Sequence, residues 1–192
     1  MALGLPIAPA ANELLRRSPL ALLVGMILDQ QIPLEKAFSS PHELEQRLGH
    51  GLDARELAEL DPEALAEILA RPPALHRFPR AMAARVQEAC RLLVARYDGD
   101  PAVLWGGAQT GAELLKRISE VPGFGRQKAQ IMVALLGKQY GVQPAGWREA
   151  AGAFGAADSY LSVADIVDEG ALAKVREHKQ QLKAAAKARA RA

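Results

Sequence analysis

The residue types and spacing best suited to chemistry lie in residues 121–129, Val-Pro-Gly-Phe-Gly-Arg-Gln-Lys-Ala. Gly123 and Gly125 permit positive φ and the close approach of a ligand, and the preceding proline fixes φ at the entrance of the turn. A helix that starts directly after such a turn leaves backbone N–H groups free, and these groups bind phosphate. Arg126 and Lys128 add positive charge at the same place. The segment therefore predicts a phosphate-binding turn.

The spacing separates this turn from other phosphate-binding motifs. A P-loop has four residues between its glycines and then Gly-Lys-Ser/Thr, which is absent, and a dinucleotide fold needs a third glycine and a preceding strand. The segments on either side, 112–120 and 129–136, have helical spacing instead. This favours a helix-hairpin-helix, which holds a nucleic-acid backbone without reading its sequence. The alternative is an ordinary corner between two helices closed by Pro-Gly.

A second polar group ends an apolar segment near the N-terminus, at residues 26–32, Met-Ile-Leu-Asp-Gln-Gln-Ile. A glutamine amide donates and accepts hydrogen bonds, so Gln30 and Gln31 are suited to bonding an unpaired base. The alternative is that they cap the carbonyl groups of the helix end. Asp29 supplies a carboxylate here, and the more ordinary role for it is that of a solvated acid at a helix end.

The hairpin and the two glutamines lie in a chain that is predicted to be helical almost throughout. The chain of 192 residues is 49% hydrophobic but only 5% aromatic, which favours an aliphatic core of packed helices. No segment shows the sustained alternation that a sheet requires. Capping residues and periodicity predict an all-α fold, with helices over 13–17, 20–31, 34–39, 54–59, 63–70, 79–97, 111–120, 128–140 and 163–166, one more starting at Ser40-Pro41, and a last one from about residue 170.

Charge is distributed unevenly along the chain. Residues 174–192 carry seven basic residues and one acid, whereas acids outnumber bases in the rest of the chain. A basic segment on an acidic body indicates a polyanionic partner, and the alternative is a solvated, frayed helix. We expect a helical domain over 1–173, with the hairpin at 118–130, followed by a basic C-terminal helix or tail over 174–192.

Cysteine and histidine usage argues against metal or redox chemistry. Cys90 is the one cysteine, so a disulfide within the chain and a four-cysteine iron–sulfur site are excluded, and we expect it to be a small core residue. The four histidines show no metal-ligand spacing, so no cofactor or metal is expected. The longest apolar run, 20–28, is too short to span a membrane. We expect a cytoplasmic, nucleoid-associated monomer with no membrane partner.

Taken together, these motifs make residues 22–136 resemble the helix-hairpin-helix (HhH-GPD) DNA glycosylase superfamily, typified by endonuclease III and bacterial 3-methyladenine DNA glycosylase. The two anchors are residues 26–32 and 121–129, and residues 75–83 lie where family members have a turn and a helix start. The resemblance implies a two-lobed all-α fold and a DNA-repair function. Its partner would be duplex DNA with a damaged or distorted base, and its reaction hydrolysis of the N-glycosidic bond of a flipped base.

The resemblance also implies roles for particular residues. The hairpin would hold the DNA backbone, and the glutamine-bearing turn would fill the gap in the base stack. The corresponding DNA-binding residues are Gly123, Phe124, Gly125, Arg126 and Lys128 in the hairpin and Gln30, Gln31 and Ile32 in the turn. Trp147 would stack on the flipped base, and the alternative for it is packing between lobes.

The chain departs from the family pattern at both catalytic positions. Gln127 stands where lyase-type members have the lysine that forms a Schiff base, and Lys128 would point about 100° away on the helix. We therefore expect no strong lyase activity. The position of the family's catalytic aspartate falls on Ala145.

If the protein is a glycosylase, a carboxylate from another part of the chain must therefore take the catalytic role. Otherwise the protein has no glycosylase activity. We favour Asp158, because it follows an enlarged loop that could fold back over the site, although Asp-Ser is also common turn chemistry. Asp29 and Glu149 are the other catalytic candidates. Two further hypotheses remain: a non-catalytic DNA-binding or lesion-sensing protein, and an all-α protein–protein adaptor that uses the hairpin only as a corner.

Overall fold

The computed structural model describes residues 4–189, apart from the side chains of residues 183 and 186–189. Within this range the chain forms helices α1 to α11 and two 3₁₀ turns, Gly152–Gly155 and Val163–Asp165. The helices are α1 Pro9–Arg17, α2 Pro19–Leu28, α3 Leu34–Leu48, α4 Ala54–Glu59, α5 Pro62–Ala70, α6 Pro79–Arg96, α7 Pro101–Gly106, α8 Gly111–Ser119, α9 Arg126–Gln139, α10 Trp147–Ala151 and α11 Glu169–Arg189.

Side-chain caps set the start of several helices, and the sequence predicts these helices with the exception of α7. Asp53, Asp61, Asp100 and Thr110 accept hydrogen bonds from first-turn N–H groups of α4, α5, α7 and α8, respectively. Each such cap stabilises a helix by about 1 kcal/mol. The caps of α4 and α8 fix the starts at the residues predicted from the sequence.

Helix α2 is the central element of the fold. All residues from Leu20 to Leu28 are buried, and the helix packs against α1, α3, α6 and α7. A helix that is apolar on every face is stable only when it is surrounded in this way. Its C-terminal end therefore delivers Asp29 from the interior of the protein to the site described below.

The remaining helices form two groups. In one, α4 and α5 pack on α6; in the other, α8, α10 and both 3₁₀ turns pack on α9. This two-lobed all-α arrangement confirms the predicted fold class. The described residues contain no β-strand, only one bridge, between Thr110 and Ala145. None of the helices in this part of the chain has the length and apolar character needed to cross a lipid bilayer.

Several predicted boundaries are wrong. Helix α2 ends at Leu28 and not at Gln31, and the break predicted at Ser40-Pro41 is absent because Pro41 lies buried inside α3. Packing of the proline ring offsets the one backbone hydrogen bond that it cannot make. Helices α7 and α10 lie in segments for which the sequence predicts no helix. Residue 174, where the basic C-terminal segment is expected to begin, lies inside α11, and the division of the chain at this residue stays a prediction. Residues 190–192 of the basic segment lie outside the described residues.

Candidate nucleic-acid interface and active site

The predicted hairpin is formed by α8, a turn over residues 120–125, and α9. Gly123 has φ +82°, a conformation that favours glycine, and Gly125 is the exposed N-cap of α9. No side chain of the described residues caps α9. The N–H groups of its first turn, at residues 126–128, therefore remain available for an anion.

Lys128 is turned inward from this turn. Its ammonium donates to the carbonyl oxygens of Met26, at 2.7 Å, and Asp29, at 3.2 Å, and lies 5.5 Å from the centre of the buried Phe124 ring. Burial lowers the pKa of Lys128 to about 8. The ammonium thus joins the first turn of α9 to the last turn of α2. That Lys128 contacts a DNA phosphate stays a prediction.

The turn after α2 that contains Gln30, Gln31 and Ile32 is called here the glutamine turn. It places its two glutamines in different environments. The Gln30 amide donates to the Ile27 carbonyl at 2.7 Å and accepts a hydrogen bond from the Arg85 guanidinium, so it caps the end of α2. Gln31 is exposed and has φ +55°, which few side chains other than glycine adopt. Ile32 is half-buried against the core. Of the three, Gln31 is the one presented to solvent.

Two residues that the sequence did not indicate support this turn. The Nδ1 atom of buried His76 accepts the Phe78 N–H at 3.0 Å, so its Nε2–H donates to the Gln30 carbonyl at 2.8 Å. Burial lowers the pKa of His76, which favours this neutral form. Arg85 bonds Gln30 and also lies directly under Gly123, where an added Cβ would come within 3.3 Å of its Cδ. Arg85 therefore connects the glutamine turn to the hairpin.

Two cavities adjoin the hairpin. The first, called here the hairpin cavity, measures about 430 Å³, and its lining residues are Met26, Asp29, Gly125, Arg126, Gln127, Lys128 and Ile131. The second, called here the α11 cavity, measures about 340 Å³ and is closed on one side by α11. Its lining residues are Asp29, Gln127, Ile131, Phe154, Leu161, Ser162, Val163, His178, Lys179 and Leu182.

Asp29 lies where the two cavities meet, together with Gln127 and Ile131. Within the described residues its carboxylate has no hydrogen-bond or ion-pair partner. Burial raises the pKa of Asp29, and the positive charges of Lys128 and Lys179 partly oppose that shift. These surroundings differ from those of a fully solvated acid at a helix end. A desolvated carboxylate facing a cavity is a common feature of catalytic sites.

The other candidate carboxylates lie elsewhere. Asp158 and Glu149 are exposed and line neither cavity. The loop expected to carry Asp158 over the site packs along α9 instead, and Phe154 and Leu161, but not Asp158, line the α11 cavity. Buried Asp165 is already occupied, since it pairs with Lys138 at 2.5 Å and accepts two backbone N–H groups.

Ala145, to which the sequence count assigns the family's aspartate, lies away from the hairpin turn. Its carbonyl accepts the Gly111 N–H at 2.7 Å, at the N-terminal end of α8. The hairpin turn follows the opposite end of α8, and nine residues at 1.5 Å each separate the two ends by about 13 Å. A side chain at Ala145 therefore belongs to the far end of the helix pair.

Trp147 is also at that far end. It is only 7% exposed, and its ring occupies the space beside Gly137, where a Cβ would come within 2.3 Å of Trp147 Cε3. The Arg148 guanidinium covers the ring at 4.3 Å. Trp147 lines neither cavity, and its surroundings match the packing alternative.

Comparison with known proteins agrees with this geometry. The sequence model of the HhH-GPD superfamily of base excision DNA repair proteins matches residues 24–192. Neither curated proteins nor solved structures give a match. Among the described residues, no group of histidine, cysteine and carboxylate side chains is suited to holding a metal. The match covers the glutamine turn, the hairpin and α11, and the chain therefore belongs to the HhH-GPD superfamily of base excision DNA repair proteins.

Proposed function

We propose that this protein is a monofunctional DNA glycosylase that hydrolyses the N-glycosidic bond of a flipped base in damaged duplex DNA. The observation that carries the proposal is the place of Asp29, an unpaired and largely desolvated carboxylate at the junction of two cavities beside the hairpin. A glycosylase needs a negative charge beside C1′, where the sugar becomes cationic as the base departs.

The neighbouring groups fit the other steps of such a reaction. The free N–H groups at the start of α9 would hold the phosphate beside the flipped nucleotide, and the hairpin cavity would take the sugar. Gln31, exposed with φ +55°, would fill the gap in the base stack. Because its pKa is raised, the Asp29 carboxylate is a stronger base than a free aspartate and is suited to accepting a proton from the attacking water.

A panel of duplexes that each contain one lesion tests the proposal. Under single-turnover conditions, with enzyme in excess, strand cleavage after alkali reports base removal. We expect at least one lesion to be excised, and we expect duplex affinity to fall steeply with salt, as contacts to phosphate require. A protein–protein adaptor would show neither property.

One observation favours a second function, that of a non-catalytic lesion sensor. The sequence count that the resemblance implies puts the family's aspartate position at Ala145, which has no carboxylate. Such a protein would bind an abasic or mismatched duplex more tightly than an intact one without excising any base. The same panel, read for binding as well as cleavage, separates the two functions.

A further inference from the structure

We infer that the base excised by this protein is a neutral base with ring carbonyl groups, and that Lys179 and His178 of α11 bind the negative charge it acquires as it leaves. The inference rests on the proposed glycosylase function and names the substrate class of the same site. It follows from the order of the two cavities and from the side chains of the α11 cavity.

The lining residues of the two cavities indicate which part of the flipped nucleotide each cavity would hold. The hairpin cavity includes the open first turn of α9, where phosphate would bind. The α11 cavity shares Asp29, Gln127 and Ile131 with the hairpin cavity, but Gly125, Arg126 and Lys128 do not line it. With phosphate at the turn and C1′ beside Asp29, the base occupies the α11 cavity.

The walls of the α11 cavity suit a flat ring with acceptors at its edge. Its apolar lining residues, Phe154 and Leu161 among them, offer surface on which a base could pack. The polar groups on the side of α11 are donors: the Lys179 ammonium and an N–H of the His178 imidazole. Ser162 adds a third, since its oxygen accepts the Ala164 N–H and its hydrogen remains free. Carbonyl oxygens are the natural partners of such a wall.

Lys179 is not committed to another role in the described structure. It lies near enough to Asp29 to lower the pKa of that carboxyl, but it has no hydrogen-bonded acceptor among the described residues. An ammonium in this position can therefore bind an oxygen that becomes negative during the reaction.

The negative charge on the departing base comes from the electrons of the broken bond. When the C1′–N bond breaks, both of its electrons leave with the base, and O4′ shares a lone pair with C1′. Water then adds its oxygen to C1′ and passes one proton to Asp29, which releases it to solvent. A neutral base departs as an anion with its charge on the carbonyl oxygens, and it takes a proton from solvent afterwards. Lys179 would lower the barrier by stabilising that anion.

A cationic alkylated base does not need this arrangement. It carries a positive charge before the bond breaks and leaves as a neutral molecule. In the α11 cavity it would lie beside the Lys179 ammonium, and two like charges at such a distance repel. The cavity should therefore disfavour alkylated purines.

The test uses duplexes that contain uracil, 5-fluorouracil or hypoxanthine as neutral bases, and 7-methylguanine as the cationic one. Single-turnover rates, corrected for loss without enzyme, are measured for the parent, Lys179→Met and Lys174→Met. The last is a matched control, because it removes the same charge from the same helix, and Lys174 instead lies 4.4 Å from the centre of the Tyr160 ring and does not line the α11 cavity.

We expect the parent to excise at least one neutral base faster than 7-methylguanine. Lys179→Met should slow that reaction by about 10²-fold, as for the loss of one donor to a developing anion, whereas Lys174→Met should not. If 7-methylguanine is the fastest substrate, or if both lysine variants slow excision equally, the inference is overturned. Excision of no base at all would instead refute the proposed glycosylase function.

Discussion

The Lys128 ammonium lies 2.7 Å from the Met26 carbonyl oxygen, and this contact joins the first turn of α9 to the last turn of α2. A positive charge at the C-terminal end of a helix is favourable for the helix dipole. The contact draws Lys128 away from solvent and leaves Arg126 as the exposed cation of that turn.

The two cations of the hairpin should therefore respond differently to removal. Arg126→Met should weaken duplex binding for all sequences and reduce the slope of log affinity against log salt by about 1, as for one lost phosphate contact. Lys128→Met should leave that slope unchanged while altering the melting temperature. Fluorescence anisotropy at several salt concentrations measures the slopes, and equal changes in both variants would contradict the inward position of Lys128.

Gly125→Asp should raise stability and weaken DNA binding at once. Gly125 has φ −73° and an added Cβ meets nothing within 4 Å, so a side chain fits. An aspartate there would cap α9 and stabilise the fold by roughly a few tenths of a kcal/mol relative to glycine. Its charge would occupy the place of the phosphate, so duplex affinity should fall by roughly 1–3 kcal/mol.

Gly125→Ala is the neutral control for that prediction. It should keep the melting temperature near that of the parent and cause a smaller loss of affinity, since it adds bulk without charge. Full duplex affinity in a folded Gly125→Asp protein would remove the phosphate-binding role of the hairpin.

Gln31→Gly should reduce recognition of damage without reducing stability. The glutamine adopts φ +55°, which costs most side chains about 1 kcal/mol relative to glycine. Glycine should relieve that strain, but it cannot fill a gap in the base stack. Affinity for an intact duplex should stay unchanged while affinity for an abasic duplex falls. Gln31→Ala should show the same change in DNA preference, with a melting temperature below that of Gln31→Gly. An equal loss of affinity for both duplexes would indicate a structural role for Gln31 instead.

The fold could be predicted from the sequence to a large extent, because its signals are local. Caps such as Asp53 and Thr110 and the apolar run of α2 determine helix ends and burial within a few residues. Pro41 was misassigned because its effect depends on packing against distant parts of the chain. The short helix α10, Trp147–Ala151, is not predicted from the sequence.

The site was less predictable for the same physical reason. The hairpin is a contiguous motif, and Gln31 is close to a recognisable helix end. The burial of Asp29 depends on α9 and α11, which follow it by about 100 residues or more, so its local sequence resembles that of any solvated acid. The contacts of His76 and Arg85 with Gln30 likewise join segments about 50 residues apart, and no local pattern indicates them.

Low pH should reduce the free energy of unfolding through His76, which supports the glutamine turn. Burial lowers its pKa in the folded chain, whereas the unfolded chain takes up the proton near the ordinary value of 6.5. Below 6.5 the unfolded state binds more protons, so the free energy of unfolding should fall as the pH drops towards the folded pKa. Urea unfolding at several pH values, compared with His76→Gln, measures this term. A stability difference between the two proteins that does not change with pH would argue against the neutral, hydrogen-bonded form.

The role of Asp29 is tested most directly by the single-turnover rate of Asp29→Asn on an excised lesion, with Asp158→Asn as the matched control. Asparagine keeps the size of the side chain and removes its charge. We expect a loss of about 10²-fold or more in the Asp29 variant with duplex affinity retained, and a parental rate in the Asp158 variant. An Asp29→Asn protein that excises the lesion as fast as the parent would contradict the account.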